Sequence, residues 1–152
     1  MVVEHVFVTT LESRDAITRA MQFLALHGFV NEAPRGFAVG EEGMTLLNMR
    51  RGMLNARIAK SVIDLPQRVH LEFDRGRVTL AVQIEPSAAW GGRSAFSTSA
   101  DGNPRKMRLH ESLLLCIANA LEEVLAGGVA PESAGEKLRM IEQQARDEAR
   151  RR

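Results

Sequence analysis

Two runs of strict alternation meet at a short turn. Val69, Leu71 and Phe73 interleave with His70, Glu72 and Asp74. Beyond Arg75-Gly76, Val78, Leu80, Val82 and Ile84 interleave with Thr79, Ala81, Gln83 and Glu85. Successive strand side chains point to opposite faces, so a period of two on both sides of a two-residue turn predicts an antiparallel hairpin with one wet face. The apolar face of such a hairpin has to be covered by a second layer.

The flanking segments supply that layer and the rest of the sheet. Residues 2–9 (VVEHVFVT) are β-branched and aromatic, which predicts a strand. Apolar residues fall on both of its faces, which places it inside the sheet. A helix is expected over residues 13–27, with Ser13 as N-cap, Ile17, Ala20, Met21 and Leu24 as its apolar stripe, and Gly28 as its stop. Residues 31–36 read as a turn cluster, and residues 37–40 and 44–51 as a hairpin around Glu41-Glu42-Gly43. Residues 93–99 suit a short edge strand. Asn103 followed by Pro104 gives a cap and a first helical residue. The helix over 104–126 then carries His110, Leu114, Ile117, Leu121 and Val124 on one face, and Gly127-Gly128 stops it. Ser133 and Glu136 have the spacing of a capping box ahead of a final charged helix. Its stripe, Leu138, Ile141, Ala145 and Ala149, is too thin to hold a helix alone, so this segment must dock, dimerise or fray.

The order strand, helix, four or five antiparallel strands, long helix defines an α+β class. The expectation is a curved antiparallel sheet of four to six strands in β-α-β(4-5)-α order, with helices on one face and a separate C-terminal helix. The domain spans residues 1–126, a linker 127–135, and the charged helix 136–152. This element order is similar to two known topologies, the TATA-binding-protein-like fold and the helix-grip fold of START-like hydrophobic-ligand carriers. No family motif accompanies the likeness, so it brings no activity with it.

Composition narrows the function classes. The 152 residues hold 20 Lys+Arg against 19 Asp+Glu and are 45% hydrophobic, which excludes a bulk polycation and a long disordered chain. Cys116 is the single cysteine, so neither an intrachain disulfide nor a thiolate metal cluster is available. The densest apolar run, residues 113–118, is far shorter than a membrane span, and no leader-like segment opens the chain. A cytoplasmic location is the expectation.

The near-neutral total hides segregation. Residues 44–68 carry five basic groups (Arg50, Arg51, Arg57, Lys60 and Arg68) against Asp64 alone. Leu54, Ile58, Val62 and Leu65 recur among them at helical spacing. A basic amphipathic segment can meet an anionic membrane surface or a partner, while a connecting segment packs the same stripe on its own sheet. Arg50, Arg51, Arg57, Lys60 and Arg68, with Trp90, Arg105, Lys106 and Arg108, form the candidate interaction surface. Nucleic acid is the less favoured partner, since phosphate-binding arginines here lack a platform of stacking aromatics.

Candidate chemistry is sparse. His5, His27, His70 and His110 are scattered with no i, i+4 pair and no HExxH, so no metal site is predicted. His110 reads as a core or boundary residue, and Cys116 as an inert thiol within a helix. Glu72, Asp74 and Glu85 lie on the wet face of the hairpin. The glycines form no phosphate-binding pattern. Neither catalytic residues nor a cofactor is expected. The expected function is a non-enzymatic binding or interaction module, with a protein partner or self-association. The alternatives are a helix-grip carrier of a small hydrophobic ligand, or contact with an anionic membrane or nucleic acid through residues 50–68.

Overall fold

The computed structural model describes residues 1–32, 37–39, 44–52, 62–84 and 104–151. The strands are β1 (Val2–Val8), β2 (Val30–Asn31), β3 (Phe37–Val39), β4 (Thr45–Arg51), β5 (Gln67–Asp74) and β6 (Arg77–Ile84). The helices are α1 (Ser13–Leu26), α2 (Pro104–Leu125) and α3 (Glu136–Arg150), with a 3-10 turn at Val62–Asp64. The six strands form one antiparallel sheet in the order β1-β6-β5-β4-β2, with β3 also on β4. The expected α+β class and the expected strand number are both present. Residues 40–43, 53–61 and 85–103, and with them Arg57, Lys60, Trp90 and the strand expected at 93–99, lie outside the described residues.

The β5–β6 hairpin closes as its alternation predicts. Asp74 faces Arg77, and Arg75 and Gly76 both take positive φ, at 51° and 81°. That is the turn whose twist matches the flanking strands. Register then stacks the inward residues in rows across the sheet. His5, Leu80, Leu71 and Leu47 make one row, and Val3, Val82, Val69 and Met49 the next. A further row runs Ile84, Gln67 and Arg51.

Helix α2 lies on this face. Leu113, Leu114, Ile117, Ala118, Leu121 and Val124 are all 0% exposed, as are Leu71, Val78, Leu80 and Val82 opposite them. Zero exposure means that no water-sized space touches these side chains, so the layers interdigitate at close-packed density. The side-chain hydroxyl of Thr9 donates to the Leu125 carbonyl and accepts from the Leu11 N–H at 3.1 Å, which ties the end of β1 to the end of α2.

Three local expectations are corrected. Glu12, not Ser13, is the N-cap of α1, and it makes no side-chain cap hydrogen bond. Among the described residues, the strand β1 lies at the edge of the sheet, not inside it. Its second apolar face is accounted for by exposure, because Val2, Val6 and Val8 remain open to solvent. The capping box at Ser133 does not form. Gly135 takes the N-cap of α3 at φ 78° instead, and a Cβ there would stand 3.1 Å from the Phe23 ring. The close approach of α3 to α1 therefore selects glycine at that position.

Gly52 follows β4 at φ 97°, and a Cβ on it would collide with the backbone carbonyl of Leu65. Alanine there meets both a disfavoured backbone and a main-chain clash that no rotamer relieves. Gly52→Ala is expected to lose more than about 1 kcal/mol of stability. Denaturant unfolding followed by circular dichroism checks this, and an unchanged midpoint would contradict it.

Candidate functional site

Strand parity turns Arg51 inward. It shares a face with Leu47 and Met49, and its register partner Gln67 shares one with Val69, Leu71 and Phe73. Only 7% of the Arg51 side chain is exposed, so its charge needs a partner inside the protein. Helix α3 brings one. Glu142 stands four residues after Leu138 and three before Ala145, on the stripe that α3 buries. Glu142 is itself 4% exposed.

The resulting cluster is dense in hydrogen bonds. Arg51 Nη1 donates to Glu142 Oε2 at 2.7 Å and to the His27 carbonyl at 2.9 Å. Arg51 Nε donates to Gln67 Oε1 at 2.9 Å. The Gln67 amide donates in turn to the carbonyls of Ile63 and Leu65 at 3.0 and 3.2 Å. His27 Nδ1 lies 2.7 Å from Glu142 Oε1. Because a carboxylate accepts there, Nδ1 carries the proton. The His27 ring leans on Phe23 at 4.7 Å, and the Arg51 guanidinium lies 4.7 Å above the Phe29 ring. Nη2 is buried and, among the described residues, finds no acceptor.

Burial pulls the Arg51 guanidinium below its ordinary value; the charge and hydrogen bond of Glu142 offset this only in part, and the Arg146 charge adds to it. Burial pushes the Glu142 carboxyl upward. The His27 hydrogen bond and the Arg51 charge outweigh that push and hold it below the usual carboxylate range. The functional groups of Glu142 and Gln67 are engaged within the protein, so the cluster staples together the elements that meet in it.

Of the expected basic surface, Arg57, Lys60 and Trp90 lie outside the described residues. Arg51 is a correction, since it lies in this interior cluster and not on a surface. Its neighbour Arg50 points to the opposite, exposed face, in register with Arg68. Arg68 is partly neutralised by Glu32 at 2.8 Å. Arg108 is exposed on α2, and Arg105 and Lys106 belong to the first turn of that helix. His70 bridges Asn48 at 2.6 Å and Glu72 at 3.0 Å on the outer face of the sheet. His5 meets Glu122 of α2 at 3.5 Å. His110 is 8% exposed. Burial pushes the half-buried Cys116 thiol up, with Lys137 pulling weakly the other way, so its thiolate is disfavoured. Among the described residues no three His, Cys, Asp or Glu gather as metal ligands. No described helix is long and apolar enough to cross a membrane.

The second candidate place is the open edge of the sheet. The Ile84 N–H donates to the Met1 carbonyl at 3.2 Å, and the Thr9 N–H to the Gly76 carbonyl at 2.7 Å. Hydrogen-bonded pairs alternate along an antiparallel ladder, so the odd residues of β1 bond to β6. The N–H and C=O groups of Val2, Glu4, Val6 and Val8 then point outward. Val2, Val6 and Val8 are 51%, 56% and 73% exposed. The seven residues of β1 run in unbroken register and contain no proline, glycine or lysine. Of the common devices that blunt an edge strand, β1 carries one charge, Glu4, and neither a proline nor a bulge. At the opposite side of the sheet, β2 and β3 are two and three residues long. A short, interrupted edge is a poor template.

No protein-family model matches the chain, and no curated protein or solved structure matches it either. The class of the molecule is therefore set by its own architecture, an α+β domain with a stapled interior and one long open strand.

The staple generates two expectations. Removing one partner leaves the other charge buried and alone, so Arg51→Met or Glu142→Leu is expected to cost about 3–5 kcal/mol. The double variant, which leaves no orphan charge, is expected to recover a large part of that loss, as thermal denaturation of the three variants can measure. The pH dependence follows from the lowered carboxyl of Glu142. Its contribution is present above the unfolded carboxylate value of about 4.3 and is lost as pH falls through the lower folded value. Glu142→Gln should flatten the acid limb of the stability curve, and an unaltered limb would exclude this carboxylate as its source.

Proposed function

We propose that the protein is a non-enzymatic binding module that takes an extended segment of a partner along the open edge of β1. The observation that carries this reading is the coincidence, on one strand, of outward main-chain groups with three exposed valines. Main-chain hydrogen bonds along a sheet edge give affinity, and alternate side chains on the added strand give selectivity. Val2, Val6 and Val8 favour a partner strand with β-branched residues at every second position, where cross-strand apolar pairs form.

Other features support binding over chemistry or carriage. The buried ionisable groups are spent on one another in the Arg51–Glu142–His27 cluster. The described side chains between α2 and the sheet are fully buried, which favours a packed core over a ligand cavity. Arg50 and Arg68 adjoin on the outer face, but Glu32 takes up part of that charge.

A titration with short β-strand peptides of varied alternate residues, followed by amide NMR, tests the reading. Peptides with β-branched residues at alternate positions should perturb and protect the amides of Val2, Glu4, Val6 and Val8. A panel in which no peptide moves those amides would overturn edge binding.

A further inference from the structure

We infer that the cleft between the C-terminal end of α1 and α3 is a second binding site, and that it takes an acidic segment of a partner protein. The cleft has a volume of about 660 Å³, with Leu26 and His27 on one side, Arg139, Glu142 and Arg146 on the other, and Glu132 of the linker between. Glu142 is already satisfied, since it accepts from Arg51 and from His27 at 2.7 Å each. The two arginines are not. Arg139 and Arg146 are exposed, and seven positions on a helix separate them by two turns, about 10 Å along its axis. Arg139 Nη1 donates to the Ala134 carbonyl at 3.0 Å, a neutral acceptor that leaves its charge unbalanced. Among the described residues no carboxylate forms an ion pair with either guanidinium. The Arg146 charge is felt as far inside as Arg51, whose guanidinium it pulls further below its ordinary value. Three guanidiniums thus stand against two carboxylates, Glu142 and Glu132, and the cleft keeps an excess of positive charge.

The other carboxylates of α3 lie elsewhere on the helix. Glu136 lines a hollow at the end of α2, and Asp147 and Glu148 line the groove between α3 and α2. The carbonyl of His27, at the end of α1, is taken by Arg51. What the cleft lacks is therefore a source of negative charge at two points, and a guanidinium fork matches a carboxylate in shape as well as in sign. Leu26, 63% exposed on the facing side, adds an apolar contact. The occupant that fits carries two carboxylates about 10 Å apart with an apolar side chain between them, as a helix does with acidic residues seven positions apart. Nucleic acid or an anionic membrane fits less well. Either would bring a row of phosphates against Glu132, and none of the exposed large apolar side chains among the described residues is an aromatic on which a base could stack. The cleft adjoins Arg51 of β4, three strands from β1 in the sheet, so its occupant is distinct from the strand proposed for that edge.

The test is an amide NMR titration of the full chain with a short alanine-rich helical peptide that carries two glutamates seven positions apart and a leucine midway. Shifts are expected at residues 26–28 and 139–146, with the β1 amides unmoved. Replacing both glutamates of the peptide by glutamine should weaken binding at least about tenfold, equivalent to about 1.4 kcal/mol. The Arg139→Gln/Arg146→Gln double variant should lose a similar factor while keeping its native circular dichroism, because both side chains are exposed. A peptide that moves no amide of the cleft overturns the site, as does equal binding by the glutamine peptide or by the double variant. A single-stranded oligonucleotide or a phosphatidylserine vesicle that binds the cleft more tightly than the peptide, and is lost in the double variant, overturns the acidic segment as its occupant. Shifts confined to β1 overturn the cleft and leave the edge reading standing.

Discussion

The ion pair between Arg51 and Glu142 governs how this chain closes. A guanidinium taken out of water at the end of β4 is costly unless a carboxylate and further acceptors meet it. The acceptors here come from α1, β5 and α3, and through Gln67 the bonds extend to the 3-10 turn. Five segments distant in sequence are thereby held to one geometry. An apolar contact can slide at small cost, but a buried network of directional hydrogen bonds cannot. The final helix, whose stripe alone is too thin to hold it, owes its position to this pair, along with Leu138 and Ala145.

The hairpin of β5 and β6 was legible because two independent features agreed, the alternation and the two-residue turn. The long helix α2 was legible for a similar reason, from its proline start, its apolar face and its glycine stop. Arg51 was legible too, but only from parity. Counted from Leu47 and Met49 it faces inward, whereas grouping it with Arg50, Arg57 and Lys60 by charge placed it on a surface. Glu142 likewise lies on the buried stripe of α3, between Leu138 and Ala145. Charge composition says where cations are dense along the chain. It does not say which side of a strand they occupy.

Other features depend on tertiary contacts that local patterns do not contain. The valines on both faces of β1 match a central strand and an exposed edge equally well, and the neighbour that decides is β6, some seventy residues away. The Ser133–Glu136 spacing fits a capping box, yet the cap falls on Gly135, at φ 78° and with its Cβ position 3.1 Å from the Phe23 ring of α1. In both cases the local rule was sound, and a long-range packing requirement overrode it.

The staple and the open edge are connected by what each leaves available. The interior cluster pairs the buried charges at the β4 and β5 end of the sheet with one another. At the other side, the groups still unsatisfied by the described residues are main-chain donors and acceptors on β1. That strand is held in unbroken register by β6, buried at Phe7, and tied at Thr9 to the end of α2. An edge fixed in this way has already lost most of its conformational freedom, so an added strand pays chiefly for its own ordering.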